Sequence, residues 1–435
     1  MQTRDKFAKL AVLAVMGSLL SLGTWATAES DAAMADAKET VLHSFGELTD
    51  GANPSYGALV ADTAGNLYGT TYKGGVHGYG TVFELMPKPN GEWSESVLYS
   101  FRNGPHDGAY PAVALIFDHA GNLYGTTTGG GNHPLECGEL GCGTVFELMR
   151  GVSGSWSEKV LYRFCSAQSC ADGFSPQGPL LFDAAGNLDG TTFYGGEAIG
   201  TVFRLTPGRN NSWTENVLYN FCTVAGCADG GNPSGTLAED ANGNIYGTTQ
   251  GGGSIDYGTA FELMPGRKGQ WTETVLVSFT GQNGLLPIAG LIFGTNGNLY
   301  GTAAGGGAEG KGAVFELSAS GGTWTERLLH TFHGEDGSFV YSGLVFDATG
   351  NLYGTTLAGG SSGTSCESLA GCGTVFELEP KSGGTWTGTV PHRFEPNAKD
   401  GNSPFAGLIL KNGTLYGTTY YGGKKENGTV FEIVP

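Results

Sequence analysis

Histidine and basic side chains are scarce in this chain, and long apolar runs are absent beyond its first two dozen residues. Only 8 histidines are spread over 435 residues: His43, His77, His106, His119, His133, His330, His333 and His392. No His-Glu-x-x-His occurs, which excludes the helix-borne zinc-hydrolase arrangement. His330 and His333 are neighbours, but at a strand end without an obvious third ligand, so no metal site is expected. Lys and Arg number 22 against 41 Asp and Glu, a formal net charge of −19. Such an acidic surface disfavours nucleic acid and anionic membranes as partners. No 3.6-residue period persists over ten or more residues outside the N-terminus, so helix is poorly supported. Gly-rich runs such as Gly251–Gly253 and Gly305–Gly307 lack the Lys-Ser/Thr and following helix that cradle phosphate. No Gly-x-Ser-x-Gly elbow falls at a strand-to-helix turn, and no Asp-x-Asp-x-Asp spacing marks a calcium loop. No cofactor is expected.

What the chain has in excess is glycine, 77 residues, without the every-third period of collagen. The phrase Gly-Asn-Leu-Tyr-Gly-Thr recurs, intact or nearly so, at Gly65–Thr70, Gly121–Thr126, Gly186–Thr191, Gly243–Thr248, Gly297–Thr302, Gly350–Thr355 and Gly413–Thr418. Each copy is followed by Gly-Thr-Val-Phe-Glu-Leu or a close variant, from Gly80, Gly143, Gly200, Gly258, Gly312, Gly373 and Gly428. One supersecondary unit is therefore stacked seven times, at spacings of 53 to 65 residues.

Each unit reads as four strands. In one, Ser342–Asp347 is the first, Asn351–Thr356 the second, Thr374–Leu378 the third and Trp386–Phe394 the fourth, with linkers rich in Gly, Asn, Asp or Pro. The fourth strand repeats as Trp-Thr/Ser-Glu-x-Val-Leu from Trp93, Trp156, Trp213, Trp271, Trp324 and, with a weaker match, Trp386. The last unit stops after its third strand, Thr429–Ile433. The missing fourth strand stands at the other end of the chain, as Glu39-Thr-Val-Leu-His-Ser-Phe45. The expected fold is all-β: a seven-bladed β-propeller with four-stranded blades, its ring closed by residues 39–45 pairing with the C-terminal blade.

The N-terminus carries Arg4, Lys6 and Lys9, an apolar run from Leu10 to Leu22, and Ala26-Thr27-Ala28. This pattern predicts a signal peptide over residues 1–28, a short leader over 29–38 and a propeller domain over 39–435. The apolar run is too short to span a bilayer, so no membrane span is expected and the mature chain should be secreted, extracellular or periplasmic, and monomeric. The eight cysteines form four local pairs, Cys137/Cys142, Cys165/Cys170, Cys222/Cys227 and Cys366/Cys372, as disulfides in an oxidising compartment would.

Because the strands are antiparallel, loops from fourth to first strand share one face with loops from second to third. All four cysteine pairs fall in these loops and are expected to decorate that face, as do Asp50, Asp107, Asp172, Asp229, Asp336 and Asp400, each followed by Gly, with Asn283 in the odd unit. This face is the expected binding face, although Asp-Gly also forms turns for purely local reasons. Loop tyrosines Tyr72, Tyr79, Tyr194, Tyr257, Tyr420 and Tyr421 could stack on sugar rings. Six aligned glutamates (Glu84, Glu147, Glu262, Glu316, Glu377, Glu432) are broken by Arg204, and Asp189 replaces the recurrent tyrosine of the same unit. These two departures are candidate site residues that could pair.

The phrase Asp-x-x-Gly-Asn-Leu-Tyr-Gly-Thr-Thr…Gly-Gly…Gly-Thr-Val-Phe-Glu-Leu resembles the bacterial GloVer family of extracellular tandem-repeat proteins over residues 39–435. Asp183…Gly186-Asn187-Leu188 fits that pattern and Asp189 departs from it. The resemblance implies export and a repeat scaffold, and brings no reaction or catalytic residue with it. More distantly, the Asp-x-x-Gly-Asn-Leu-Tyr element is similar to NHL-type propeller repeats, which supports placing the first strand innermost. Two functions follow as expectations: a binding or structural protein acting on a glycan or protein through the insert-bearing face, or an extracellular polysaccharide lyase or hydrolase with carboxylates at the channel mouth.

Overall fold

The computed structural model describes residues 37–435 except 47–48, 133, 152–153, 361–365, 367–370 and 398. The predicted signal peptide and most of the leader lie outside the described residues.

The recurrent phrases form the two central strands of each sheet. In the first blade Leu67–Thr71 is buried along its whole length and pairs with Thr81–Pro87, placing Tyr68 opposite Glu84 and Gly69 opposite Phe83. A strand covered on both faces needs no polar alternation. The invariant glycine has a steric cause: a Cβ on Gly69 would lie 2.6 Å from the Phe83 ring and 2.9 Å from Leu59. The second and third strands also share a buried hydroxyl pair, Thr71 to Thr81 at 2.8 Å. In the fifth blade both partners become alanine, Ala303 opposite Ala313, so that no hydroxyl is left without its mate.

Six of the seven main sheets run from first to fourth strand in chain order. The second strands of all seven are Leu67–Thr71, Leu123–Gly130, Leu188–Tyr194, Ile245–Gly251, Leu299–Ala303, Leu352–Thr356 and Thr414–Thr419. The seventh sheet takes its fourth strand, Glu39–Ser44, from the other end of the chain. It pairs antiparallel with Thr429–Ile433, Glu39 opposite Ile433 and Ser44 opposite Thr429. The ring closes as the repeat predicted.

Blade boundaries repeat as strictly as blades. A phenylalanine just past each fourth strand packs against the third-strand phenylalanine of the next blade, edge-on at five boundaries and tilted in Phe221–Phe261 and Phe279–Phe315. Phe101–Phe146, Phe164–Phe203 and Phe332–Phe376 lie 5.0 to 5.2 Å apart between ring centroids. Phe394–Phe431 and Phe45–Phe83, each at 5.2 Å, carry the same contact through the closing blade. Backbone stitches accompany the rings. Asn53, Tyr110, Ser175, Asn232, Leu286, Phe339 and Ser403 all adopt positive φ. Each donates its amide to a loop carbonyl of the preceding blade, as Tyr110 does to Tyr79 at 2.8 Å and Asn53 to Asn427 at 2.7 Å.

The first strands are shorter than expected. Ser342–Asp347 reduces to Val345–Phe346, and other blades also keep only two or three residues there. Crowding near the axis is the reason. A Cβ on Gly57 would lie 2.4 Å from the Val113 carbonyl carbon of the next blade. In the second to fourth blades a separate segment (Gly108–Pro111, Phe174–Pro176, Gly231–Pro233) pairs with the end of the second strand. It ends at a proline, which has no N–H to extend the ladder. Among the described residues the complete helical elements are five three-residue 3-10 turns.

Candidate functional site

The predicted common face is real. Bridges join the two loop classes within a blade, Ala52 with Lys73, Leu285 with Gly305 and Ser338 with Ala358. All four expected disulfides are formed: Cys137–Cys142, Cys165–Cys170, Cys222–Cys227 and Cys366–Cys372. The sulfurs of Cys137–Cys142 and Cys165–Cys170, one pair from each loop class, lie within 4.8 Å of one another. Among the described residues the exposed large apolar side chains concentrate on this face. Tyr56, Val76, Leu135, Ile199, Val224, Ile255, Tyr257 and Tyr421 belong to these loops, Tyr194 ends the second strand that leads into one of them, and only Val434 lies elsewhere.

The bridged cysteines lie in the loops of this face and also reach beneath it. Cys142 and Cys372 are fully buried and Cys170 nearly so. Each of these second cysteines works through its backbone as a scaffold joint. The Cys372 carbonyl accepts the Ser403 amide of the next blade at 2.8 Å, and the Cys142 carbonyl accepts that of Ser175 at 2.7 Å. Cys227 closes the 3-10 turn Ala225–Cys227 with a positive φ. Its carbonyl accepts the Gly230 amide at 2.9 Å and the Gly253 amide at 2.8 Å, tying the two loop classes of its blade together. Cys170 does the same for Gly173 and Gly196. The physical reason is that a loop bridged over so few residues turns its carbonyls towards neighbouring amides, and those amides lie beneath the surface.

Three consecutive blades place an aromatic arc beside the innermost segments. Phe405 makes ring contacts with Tyr56 at 5.2 Å, Tyr341 at 5.6 Å and Tyr420 at 5.3 Å. Tyr420 continues to Tyr421 at 4.6 Å. In the first two blades Tyr110 bridges Tyr72 at 5.0 Å and Tyr79 at 5.6 Å. Tyr56 is 44% and Tyr421 45% exposed. Tyr56, Tyr341 and Phe405 were not among the loop tyrosines singled out from sequence. Their signal is an aromatic residue soon after each blade's Pro or Val, where other units have Ala112, Gln177, Ser234 and Ile288.

The candidate aspartates serve their own loops. Asp107 accepts from the Tyr99 hydroxyl at 3.0 Å and from the Arg102 and Gly108 amides at 3.1 and 2.7 Å. Asp172 and Asp229 repeat this with Tyr162 and Tyr219. Asp336 takes His330 Nε2 and the His333 amide, each at 2.8 Å. Asp400 accepts from the Glu395 and Gly401 amides, and Asp50 from Gly46.

Sequence reasoning missed their neighbours across the blade boundary. The glutamate of each Trp-x-Glu phrase, on the outermost strand, faces the aspartate of the preceding loop. Burial first, and the facing aspartate second, push Glu158 (Asp107) and Glu39 (Asp400) up to about 8. The same causes push Glu95 (Asp50), Glu215 (Asp172) and Glu273 (Asp229) up to about 7. Each keeps Oε1 buried without a hydrogen-bond partner. Where Asn283 replaces the aspartate, its amide donates to Glu326 Oε2 at 2.6 Å. These raised carboxyls lie on fourth strands, away from the innermost segments where the enzymatic reading expects its acids.

Asp189 and Arg204 do pair. They are cross-strand partners, and Arg204 Nε and Nη2 reach the two carboxylate oxygens at 2.7 and 2.6 Å. Asp189 is fully buried; burial lifts its pKa and Arg204 opposes that. Elsewhere the same positions hold a Tyr–Glu hydrogen bond, as in Tyr68–Glu84 at 2.6 Å and Tyr246–Glu262 at 2.7 Å. The usual tyrosine also packs on the next blade's phenylalanine and tryptophan, Tyr124 on Phe182 at 5.2 Å and Trp213 at 6.5 Å. In the third blade the Arg204 guanidinium sits 5.3 Å over Trp271. Glu239 takes the phenylalanine's strand position and interacts electrostatically with Arg204. Three side chains have changed together, and Asp183 joins Arg204 at 3.3 Å.

No curated protein matches the chain. Among solved structures it is similar to a Bacteroides uniformis protein provisionally named a 6-phosphogluconolactonase, at 15% identity and a TM-score of 0.45, over 77% of this chain and 84% of that one. The signature described as the Gloeobacter/Verrucomicrobia repeat matches residues 31–261 and 233–435. The chain belongs to this Gloeobacter/Verrucomicrobia repeat family, and its repeats build a seven-bladed propeller.

Proposed function

We propose that this chain is an exported, monomeric binding protein that holds an extracellular glycan on its insert-bearing face by stacking sugar rings on the aromatic arc. The observation that carries the reading is the arc itself: Tyr341 and Tyr56 joined through ring contacts with Phe405, from three successive blades, with Tyr56 exposed over 44% of its surface. Rigid rings on a closed scaffold contribute contact area at little entropic cost. A sugar's C–H face suits them, and uncharged or cationic glycans suit the net charge of −19. Disulfides in the face loops and the charged–apolar–Ala-x-Ala start support export. Among the described residues no helix is long and apolar enough to cross a membrane.

Affinity electrophoresis through neutral polysaccharides, followed by a glycan array, tests the reading. The mature chain should be retarded by at least one glycan. Tyr56→Ala should weaken retention about tenfold, the loss of about 1.4 kcal/mol of stacking. Retention by no glycan, or retention unchanged in Tyr56→Ala and Tyr341→Ala, would overturn it.

A further inference from the structure

At the closing seam three ligand-type side chains converge, as at no other blade boundary among the described residues. Glu39 opens the N-terminal strand, and across the boundary stand His392 on the sixth blade's fourth strand and Asp400 in the loop after it. One ligand-type atom from each lies within 4.8 Å of the others. Glu39 Oε1 and His392 Nε2 are both buried without a hydrogen-bond partner. His392 Nε2 stands 3.5 Å from Asp400 Oδ2, and His392 is only 9% exposed.

The next boundary repeats the residue types, with His43 Nε2 3.6 Å from Asp50 Oδ2 and both His43 Nε2 and Glu95 Oε1 unpartnered, but those three side chains do not converge within 4.8 Å. The remaining boundaries satisfy the same positions internally. Tyr99, Tyr162 and Tyr219 stand where His392 stands and donate a hydroxyl to their aspartate. Asn283 replaces the aspartate and donates to Glu326. His330 bonds Asp336 at 2.8 Å and faces Gly388, which offers no carboxylate. At Glu39, His392 and Asp400 an imidazole nitrogen and two carboxylates converge instead. The one other converging set among the described residues is the four sulfurs already joined as disulfides.

The geometry points to a divalent transition-metal site, with Zn2+ as its ion, bound by Glu39, His392 and Asp400 and clamping the N-terminal strand to the sixth blade. Three protein ligands with a fourth position for water is a recurrent zinc arrangement, and imidazole disfavours Ca2+ and Mg2+. Tetrahedral zinc with bonds of about 2.0–2.1 Å sets its ligand atoms roughly 3.4 Å apart, so small side-chain rotations complete the site. The outer supports are in place. The Glu395 and Gly401 amides orient Asp400 at 2.9 and 2.8 Å, and the Phe394 ring lies edge-on to His392 at 4.7 Å. Such neighbours fix ligand orientation in metal sites. The Ala37 amide, 2.7 Å from the Pro391 carbonyl, pins the strand start beside the site. This inference does not depend on glycan binding.

The test uses the oxidised mature chain, stripped with EDTA, reloaded with Zn2+ and desalted. Elemental analysis should give about one zinc per chain, lost in Glu39→Gln and in His392→Gln. In the unsubstituted chain, zinc should slow amide hydrogen exchange of residues 39–44, a readout that needs no variant to fold. Less than about 0.2 zinc per chain, stoichiometry unchanged in both variants, or zinc bound without slowed exchange in residues 39–44, would each overturn the proposal.

Discussion

Glu158→Gln turns the buried carboxyl seats into a measurement. Glu158 faces Asp107, with Arg102 and Tyr99 also acting on or feeling its charge. Desolvation first and Asp107 second raise it from 4.5 to about 8 in the folded chain. Between those values the native state holds a proton that the unfolded chain has released. The group's contribution to stability is therefore fully present below about pH 4.5 and is lost as pH rises through about 8. At about 1.4 kcal/mol per pKa unit, the displacement is worth at most about 5 kcal/mol. Partial hydration and the Arg102 charge reduce the expected value to roughly 1–2 kcal/mol.

Glutamine has the same size and no charge, and its amide can donate to Asp107 as the Asn283 amide donates to Glu326. The variant should match the parent within about 0.5 kcal/mol at pH 4 and exceed it by roughly 1–2 kcal/mol at pH 9. Urea unfolding followed by tryptophan fluorescence from pH 4 to 9 reads this directly. A variant less stable than the parent at pH 9, or a difference that does not change with pH, would refute the assignment of a neutral carboxyl to this seat.

Arg204→Ala leaves the fully buried Asp189 carboxylate unpaired and should cost about 3–5 kcal/mol. The triple exchange Asp189→Tyr/Arg204→Glu/Glu239→Phe, which restores the commoner pattern, should recover all but about 1 kcal/mol in the same urea assay. Phe101→Ala removes a side chain with no exposure, wedged between the first two blades, and should cost about 3–5 kcal/mol, read as a lowered midpoint. Leu286 holds a left-handed conformation that Asn53 and Asn232 hold at equivalent boundaries. Leu286→Asn should therefore raise stability by about 0.5–1 kcal/mol by calorimetry or urea.

What the sequence showed plainly was what repeats within one blade. The two phrases, the missing last strand and the loop positions of the cysteines led to the ring, its closure and the common face. The cysteine pairs were legible as bonds, but the burial of Cys372 and the joints that Cys227 and Cys170 make to Gly253 and Gly196 were not, because those amides come from other loops. Asp189 and Arg204 stood out because they break a period, and the bidentate pair explains why they break it together. Glu239 carried no such mark. It lies in a short first strand whose sequence varies, and only the stacking of blades shows that it occupies the position of Phe182 or Phe293 beside the preceding blade. The Trp-x-Glu glutamates were hidden for the same reason. Their alternation reads as an ordinary half-covered strand, and the aspartate each one faces belongs to a loop more than 30 residues away in sequence. The candidate aspartates were visible, and the local turn reading of Asp-Gly anticipated their bonds to nearby amides; what spacing alone did not say is that they also face the next blade's glutamate. The arc of Tyr56, Tyr341 and Phe405 was likewise assembled by closure about the axis, not by any local pattern.

Closure has a cost that the structure visibly offsets. Pairing Glu39–Ser44 with Thr429–Ile433 joins residues roughly 390 positions apart, against about 10 for a hairpin inside a blade. Loop entropy grows by only about 0.6 kcal/mol per doubling, so these five or so doublings cost about 3 kcal/mol more. The strand recovers this from contacts that the ordinary blades also make. It adds its ladder and buries Phe45 against Phe83. The sheet it completes presents Phe431 to Phe394, and the Asn53–Asn427 stitch joins it to the first blade. A single interblade phenylalanine is worth about as much as the whole entropic difference. Closure is therefore secured by repeating the ordinary boundary at both flanks of the last blade, and a ligand set at Glu39, His392 and Asp400 would add to a joint that already holds.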